Sequence, residues 1–384
     1  MKIVIDATSL LLPSAGVRNY VQYWLLSLLE LSSAKERITT HPFGVPVPLK
    51  LDHEHSVAGS FTTRLRLDLV TFLNIRGNPA IDLAVLGADL FHASQHAKTV
   101  PRLPKVTATV FDFSCWVTPQ FHKAANIAAT RMYGESVLRS ADGLIAISEH
   151  ARRDAIEVLG VPGERIRVVY PGVAEAFFSV TRELSRQTMA KYRLDGPYLL
   201  FVGCIEPRKN VRAIVQAYER LSDSLRREVR LILAGPFGWE GDELRNMLAR
   251  ERPNVRYLGY VPEVDLPGLV GGATALVYPS FYEGFGLPAA QAMAAAVPVI
   301  ASNRSCLPEV VGDGGVLVNP DSVEEISTAM DVLCTQPDVA ERLGRCGRTR
   351  ALKFRWPVCA AASMEFFRDV ASGRPALYRK KASG

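Results

Sequence analysis

The sequence has no Cys-x-x-Cys pair, although it contains six cysteines. Scattered cysteines in a chain of this length exclude a disulfide framework, and they indicate reduced residues that mostly fill a core. The sequence also lacks an Asp-x-Asp motif and any cluster of His and Cys residues at metal-ligand spacing. We therefore expect no metal site and no bound cofactor.

Long apolar runs are absent as well. No stretch of about 18 apolar residues occurs, and Asp6 interrupts any apolar leader that would begin with KIVID, so neither a membrane span nor a signal peptide is expected. These absences predict a cytoplasmic protein, with the inner face of the membrane as an alternative location.

The charge is not concentrated in one part of the chain. The net charge is +6, and residues 1–172 hold 18 of the 45 basic and 15 of the 39 acidic residues, so this part and the remainder each carry +3. A nucleic-acid binder usually concentrates its basic residues on one patch, so no nucleic-acid partner is expected. A mild positive excess fits an anionic ligand or a membrane surface.

What is present is an alternation of short apolar runs with amphipathic stretches, which is typical of a parallel α/β fold. With 384 residues, two domains are expected. The runs KIVIDA, DLFHAS, KVTATVFD, GLIAIS and RIRVVYPG predict strands of the first domain, residues 1–172, in which residues 35–80 are hard to interpret. The runs YLLFVG, LILAG, RYLGY, ALVYPS, PVIAS and GVLVN predict those of the second, residues 197–355.

Three further segments complete the predicted organisation. The alternation of apolar runs and amphipathic stretches stops over residues 173–196, which we interpret as a linker. Residues 356–372 have a helical pattern. The segment 373–384 carries four basic residues and no acid. It is interpreted as a solvated tail, with a peripheral membrane contact as the alternative.

The stretch SFYEGFGLPAAQAMA, residues 280–294, connects a predicted strand to a predicted helix. Gly284 and Gly286 allow a tight turn, Pro288 suits the first helical position, and the N–H groups of the helix favour a negative charge. The loop is therefore a candidate phosphate site. Glu283 at its rim makes sense if it accepts hydrogen bonds from sugar hydroxyls. The alternative is a glycine-rich connection that binds nothing.

The same loop matches Gly-x-Gly-x-x-Ala, the dinucleotide fingerprint, but two features oppose that interpretation. The next predicted strand, PVIAS, ends in Ser302 and Asn303 where an acid would hold the ribose. The motif also follows a late strand of its domain and not the first one.

A second candidate loop is FVGCIEPRKN, residues 201–210, which follows the first strand of the second domain. Arg208 can grip a phosphate through two N–H groups, and Lys209 supplies a compact positive charge. Basic residues at a helix start oppose the helix dipole, so this pair indicates an anionic ligand such as a diphosphate. The alternative is a solvated helix N-terminus.

Together these stretches resemble glycosyltransferase family 4, the retaining nucleotide-sugar enzymes whose GT-B fold has two Rossmann-like domains facing across a cleft. The resemblance covers most of the chain and is strongest in VGCIEPRKN, LAGPFGW, YLGYVP, YPSFYEGFGLP, MAAAVPVIAS and LPEVVGDGG. The EPRKN stretch is similar to that of mannosyltransferases. The run FRW, at 354–356, resembles the start of a closing helix that crosses back onto the first domain.

The resemblance implies a role for each matching residue. Glu283 would engage the donor sugar, Arg208 and Lys209 would neutralise the diphosphate, and Asp112 matches the aspartate of a His-Asp pair. The alternative interpretation of Asp112 is an aspartate that caps a loop. Gln291 falls where a second glutamate normally holds the ribose. The remaining implied contacts are those of the donor sugar and diphosphate with Gly16, Gly284, Phe285, Gly286 and Leu287, and of the nucleobase with Tyr260, Val261 and Pro262.

Two departures from the family pattern stand out. Phe111 replaces the usual histidine, so a polar contact is missing, and Gln291 can accept a hydrogen bond but lacks the charge of a carboxylate. His92 and His96 follow a predicted strand end, where they either serve the structure of the loop or contact a ligand.

The expected function is that of a retaining hexosyltransferase that moves a hexose, with mannose as the first choice, from a nucleotide diphosphate sugar to a saccharide or lipid-linked acceptor. A metal is not required by this interpretation, because Arg208, Lys209 and helix N-termini would stabilise the leaving group. The alternatives are a non-catalytic nucleotide-sugar-binding scaffold and another GT-B enzyme such as a phosphorylase. The sequence does not determine the oligomeric state.

Overall fold

The structure is a computed structural model, and it describes residues 1–11, 15–32, 36–41, 80–95, 97, 100–238, 245 and 254–375. The chain divides into two compact units. Unit 1 comprises Met1–Gly172 and the chain from Trp356 onward, and unit 2 comprises Val173–Arg355.

Unit 1 contains a parallel sheet of six strands in the order β2-β1-β3-β4-β5-β6. The strands are β1 (Lys2–Asp6), β2 (Arg37–His41), β3 (Leu90–Ala93), β4 (Lys105–Val110), β5 (Gly143–Ala146) and β6 (Ile166–Val168). Its α-helices are α1 (Ala15–Leu31), α2 (Ala80–Ala84), α3 (Ser114–Val117), α4 (Ala124–Tyr133), α5 (Glu149–Leu159) and, after unit 2, α15 (Trp356–Ala371). A π-helical turn at Gly134–Leu138 continues α4, and short 3-10 helices lie at Thr8–Leu11, Pro119–Phe121 and Gly163–Arg165.

Unit 2 contains a second parallel sheet of six strands, in the order β12-β11-β10-β7-β8-β9. The strands are β7 (Tyr198–Val202), β8 (Arg230–Ala234), β9 (Val255–Gly259), β10 (Ala275–Tyr278), β11 (Val299–Ser302) and β12 (Gly315–Val318). The α-helices are α6 (Glu175–Phe178), α7 (Arg182–Lys191), α8 (Val211–Glu219), α9 (Asp223–Glu228), α10 (Leu266–Gly271), α11 (Leu287–Ala294), α12 (Leu307–Val311), α13 (Val323–Thr335) and α14 (Pro337–Ala351). Short 3-10 helices lie at Pro207–Lys209 and Gly312–Gly314.

The inner strands of both sheets are short, mostly apolar runs because parallel sheets are covered on both faces. All five residues of β7 are buried, as are all four of β3, β5, β10 and β11. The sheet of unit 2 starts at β7, continues outward through β8 and β9, and is completed on the other side of β7 by β10, β11 and β12. The strand order therefore reverses between β7 and β10. The predicted α/β class and its parallel strands are confirmed.

The predicted linker at residues 173–196 is wrong as a description of structure. The segment belongs to unit 2 and forms α6 and α7. Thr181 caps α7 by accepting a hydrogen bond from the amide of Leu184, and α7 packs on α10. The packing is so close that a Cβ on Gly268 would lie 2.1 Å from the hydroxyl of Thr188. The segment lacked a clear pattern because α7 is short and mostly polar.

The predicted helix at residues 356–372 is present as α15, and it belongs to unit 1. It packs on α1, where Trp24 is buried and donates its indole N–H to the hydroxyl of Ser363 at 2.9 Å. The Ser363 hydroxyl in turn donates a hydrogen bond to the carbonyl of Cys359 at 2.8 Å. The apolar run of α1 thus serves core packing.

Some expectations fall on other parts of the chain. Within residues 35–80, the structure adds β2, whereas 42–79 lie outside the described residues. So does most of the predicted basic tail, because the described chain ends at residue 375. Cys115, Cys306 and Cys359 are buried and all six cysteines are free. Over the described ranges, no helix has the length and apolarity needed to cross a bilayer.

The contact between α1 and α15 yields a first prediction. Ser363→Ala leaves the Trp24 indole N–H buried without its acceptor, so the free energy of unfolding should fall by about 1–3 kcal/mol, measured by urea titration. Ser372→Ala is the matched control, because its exposed hydroxyl donates to the carbonyl of Asp369 and its loss should change stability by less than about 0.5 kcal/mol. Equal effects of the two variants would contradict the assignment.

Candidate active site

The sequence-predicted loops meet at the point where the strand order of unit 2 reverses. The loop 203–210 follows β7 and the loop 279–286 follows β10, and these two strands are adjacent and parallel. Ligands of open α/β sheets bind outside the carboxyl ends of the strands at such a point. The fold therefore brings Arg208 and Lys209 to the same place as Glu283.

Lys209 is the most enclosed cation of the site and is only 9% exposed. Its Nζ lies 2.6 Å from Oε1 of Glu283 and 2.8 Å from the hydroxyl of Tyr278. The ammonium also lies over the Tyr278 ring, 5.2 Å from its centroid. A buried ammonium needs such partners, since an unpaired charge in an apolar interior is very unfavourable.

Arg208 bridges three acceptors. Nη1 donates to the carbonyl of Tyr282 at 2.6 Å and lies 3.2 Å from Oε2 of Glu283, while Nη2 donates to Oε1 of Glu206 at 2.6 Å. We call Glu206, Arg208, Lys209 and Glu283 the four-charge cluster. Its formal charges sum to zero.

Glu283 remains ionised although it is buried. Burial alone raises the pKa of its carboxyl group, but Lys209 and Arg208 outweigh this effect and lower the pKa from 4.5 to about 2. Nearby opposite charges favour the charged form of an acid. The side chain is thus a permanent anion at neutral pH and cannot act as a proton donor.

Backbone contacts fix the loops around the cluster. Asn210 adopts a left-handed conformation with φ of 59°, and its amide group donates to the carbonyls of Pro279 and Pro320 at 3.2 and 2.7 Å. The hydroxyl of Ser305, another left-handed residue, accepts a hydrogen bond from the amide of Glu283 at 3.1 Å. The loops after β7, β10, β11 and β12 are therefore linked to one another.

The glycine loop leads into α11 as expected. Gly286 has φ of 85° and occupies the cap position, and a Cβ there would lie 2.7 Å from a methyl group of Leu307, so only glycine fits. Gly284 and Phe285 are buried, and Leu287 is half-buried at the helix start. Among the described residues no side chain caps α11, which leaves its amino end suited to an anion.

Gln291 and the stretch 260–262 lie at the same end of the sheet of unit 2 as the cluster. Gln291 is half-buried in the second turn of α11. Tyr260 follows β9 and is 41% exposed, Val261 is buried and Pro262 is half-buried. Since β9 is two strands from β7, this stretch is at the same sheet edge, roughly 10 Å away.

Asp112 and Gly16 belong to unit 1, where Asp112 has the loop-capping arrangement that was the alternative interpretation. Oδ1 of Asp112 accepts hydrogen bonds from the amide and the hydroxyl of Ser114 at 2.9 and 2.6 Å, which is a loop-capping arrangement. Gly16 was expected in a loop, but it lies in the first turn of α1 and is exposed. A Cβ there would meet nothing within 4 Å, so the position does not require glycine on steric grounds.

The expectation of a ligand contact by His92 is wrong. The ring is 3% exposed within β3, and its two nitrogens bond to the hydroxyls of Thr107 and Thr109, each at 2.9 Å. Burial lowers its pKa to about 3, so the ring is neutral and structural. Phe111 packs edge-on against Tyr20 with ring centroids 5.0 Å apart. His96 lies outside the described residues.

Sequence reasoning missed Glu206 and Tyr278, the other groups that hold the cations. Both stand in stretches that were singled out, FVGCIEPRKN and ALVYPS, but each was taken as a plain loop or strand residue. A signal was available for Glu206, because an acid two residues before an arginine in a tight turn can pair with it. In the ranges that the structure describes, no three His, Cys, Asp or Glu side chains converge in the manner of a metal site.

The low pKa of Glu283 makes stability depend on pH. Because its folded-state pKa lies below the ordinary value, ionised Glu283 stabilises the fold above pH 4.5, and this stabilisation is lost as the pH falls toward about 2. Between about pH 5.5 and about pH 3.5, the wild type should lose about 1 kcal/mol more than the double variant Lys209→Met, Glu283→Gln, measured by denaturant unfolding. Parallel pH profiles would contradict this. Glu341→Gln, on the surface of α14, should keep the wild-type profile.

Comparison with known proteins places this geometry in context. The model of the family described as "Glycosyltransferase Family 4" matches residues 46–177, and that described as "Glycosyl transferases group 1" matches residues 186–350. The O-antigen chain mannosyltransferase B of Escherichia coli is 34% identical over 270 residues, which are 70% of this chain and 71% of that relative. The serotype-specific mannosyltransferase WbdA of Escherichia coli is 31% identical over 233 residues, which are 59% of this chain but only 29% of that protein.

Solved structures agree on the fold. The crystal structure of Anabaena Alr3699/HepE in complex with UDP-glucose matches with a TM-score of 0.70 at 16% identity, covering 96% of this chain and 100% of that one. Two parallel six-stranded sheets, the two matching domain models and the relative with 34% identity lead to one assignment. The chain belongs to glycosyltransferase family 4 and is a glycosyltransferase with the α/β GT-B fold.

Proposed function

We propose that the protein transfers mannose from GDP-mannose to a growing saccharide chain with retention of the anomeric configuration. The observation that carries the proposal is the four-charge cluster, which sets two cations and a permanently ionised Glu283 at the carboxyl ends of β7 and β10. The choice of mannose rests on the relatives named as mannosyltransferases and on the EPRKN stretch.

In this proposal the diphosphate is the leaving group, and unit 2 stabilises the charge that develops on it. Arg208 presents a planar guanidinium, Lys209 lies beside it, and the amino end of α11 adds oriented N–H groups. Fixed positive charge of this kind replaces the hydration that the phosphate loses on binding. The reaction then proceeds without a metal, and full activity in the presence of EDTA would support this feature.

The proposed donor-sugar contact is Glu283. Its carboxylate accepts from Lys209 and Arg208, and in this proposal it also accepts a hydrogen bond from a sugar hydroxyl. Gln291, in the second turn of α11, is proposed to hold the ribose, and residues 260–262 to flank the base. Retention is proposed to occur by front-face attack, in which the departing phosphate takes the acceptor proton, since Glu283 is held by cations and is unsuited to act as a nucleophile.

The proposed acceptor is a saccharide, lipid-linked or otherwise, of the kind found in surface polysaccharides. The support is the name of the 34% identical relative, O-antigen chain mannosyltransferase B. We propose that the protein works in the cytoplasm, where a peripheral contact with the inner membrane face would bring it to a lipid-linked acceptor.

The proposal is tested by offering GDP-mannose, UDP-glucose and ADP-glucose to the purified protein with a mannose-terminated oligosaccharide, with and without EDTA. The expected result is one α-linked mannose added from GDP-mannose, identified by mass spectrometry and by the anomeric NMR signal. Transfer from another donor would overturn the choice of mannose. Binding of a nucleotide sugar without transfer would favour a scaffold, and sugar release that requires inorganic phosphate would favour a phosphorylase.

Arg208→Gln removes the guanidinium and leaves a neutral amide. We expect the transfer rate to fall by about 100-fold or more, because lost charge stabilisation in the transition state has effects of that size. Arg220→Gln is the matched control, since Arg220 forms an exposed ion pair with Glu324 on the same unit, and the rate of this variant should remain unchanged. Equal rates for the wild type and Arg208→Gln would refute the diphosphate role.

Gln291→Glu tests the ribose contact. A carboxylate accepts stronger hydrogen bonds from hydroxyls than an amide does, so the variant should bind GDP about tenfold more tightly in calorimetry. The 2′,3′-dideoxy nucleotide, which lacks both hydroxyls, should not gain affinity. An equal gain for both nucleotides, or no gain, would remove Gln291 from the ribose site.

A further inference from the structure

The two carboxylates of the four-charge cluster are held very differently. Both oxygens of Glu283 contact cations, with Lys209 at 2.6 Å and Arg208 at 3.2 Å, and the Glu283 amide is fixed by Ser305. Its side chain is 8% exposed. Displacing Glu283 would therefore leave a buried ammonium without its carboxylate, which is strongly unfavourable.

Glu206 is the more weakly held member. Its side chain is 18% exposed, and a single oxygen, Oε1, accepts a hydrogen bond from the described residues, namely from Nη2 of Arg208 at 2.6 Å. Its backbone is extended just before the 3-10 helix Pro207–Lys209, so the side chain stands at the start of a turn and not inside a helix. Moving this carboxylate would expose it to water at little cost.

The formal charges of the four-charge cluster indicate that one carboxylate moves when a diphosphate binds. With Glu206 and Glu283 in place, the cluster has no net charge, and it would offer a diphosphate no overall attraction. Arg208 keeps its contact with the Tyr282 carbonyl and with Glu283 through Nη1, whereas Nη2 is the edge that Glu206 occupies. Nη2 is hence the N–H group that an incoming phosphate oxygen can take over.

We propose that Glu206 occupies the phosphate position on Arg208 in the ligand-free protein and that the diphosphate displaces it on binding. The carboxylate thus competes with the donor for one edge of the guanidinium. Removal of its charge should strengthen anion binding, whereas a residue that merely positions Arg208 would weaken it when changed. The inference rests on the proposed function, because a diphosphate is the ligand.

The test is calorimetric titration of the full chain with inorganic pyrophosphate and with GDP. Glu206→Gln keeps the size and a hydrogen-bonding oxygen but removes the charge, and it should bind pyrophosphate about tenfold more tightly than the wild type, as expected when a competing charge-assisted hydrogen bond is lost. Glu206→Asp keeps the charge and should stay within about twofold of the wild type, a change of about 0.4 kcal/mol. Glu228→Gln is the matched control, because it makes the same charge change at the end of α9, at the opposite edge of the sheet.

Each outcome decides the matter. Equal or weaker binding by Glu206→Gln overturns the inference and makes Glu206 a positioning residue, and so does a gain shared by Glu206→Asp or by Glu228→Gln. Failure of both the wild type and Glu206→Gln to bind pyrophosphate at millimolar concentration also overturns it. A gain for pyrophosphate in a protein that binds no nucleotide supports the inference and contradicts the proposed function.

Discussion

The buried ion pair between Lys209 and Glu283 joins the two loops on which the rest of the site depends. The residues are 74 positions apart in the chain, but strand pairing brings them to 2.6 Å. Either charge alone would be very unfavourable at this depth, and breaking such a pair costs about 3–5 kcal/mol. A well-packed apolar pair would hold the loops as firmly, so stability alone does not explain the charges. The charges instead fix the positions of the two loops, because each buried charge is stable only when the loop that carries its partner is in place.

The strand order of unit 2 makes this pairing possible. Connections from β7 and β10 leave the sheet in opposite directions, so the ends of these two strands are left open to a ligand. The backbone segments that follow neighbouring strands also lie close together at this edge of the sheet. Gly235, which follows β8, comes so close to the loop after β7 that a Cβ would lie 2.0 Å from the carbonyl of Gly203. The glycines after the strands are thus a requirement of close packing as much as of ligand approach.

These contacts explain which features the sequence could predict. The strands of unit 2 were predictable because most of them are short apolar runs of the length that a covered parallel strand needs, and Gly286 was predictable from its turn into α11. The pairing of Glu283 with Lys209 was not, because it depends on which strands are neighbours. His92 was misjudged for the same reason, since its partners Thr107 and Thr109 lie on another strand. The helix α7 was missed because its stability comes from packing on α10 and not from an apolar pattern of its own.

The polar groups at the strand ends of the two units differ in a way that bears on chemistry. In unit 1 they satisfy one another: Asp6 accepts hydrogen bonds from Ser94 and Thr8, and Asp112 accepts from Ser114. Those carboxylates stabilise loops, and Phe111 beside them is apolar. In unit 2 the corresponding groups are cations whose partners are themselves charged, and an arginine edge can exchange one anion for another with little change in its own position. Under the proposed function, the groups that would bind the diphosphate therefore lie in unit 2, where Arg208 and Lys209 are paired with the protein's own carboxylates.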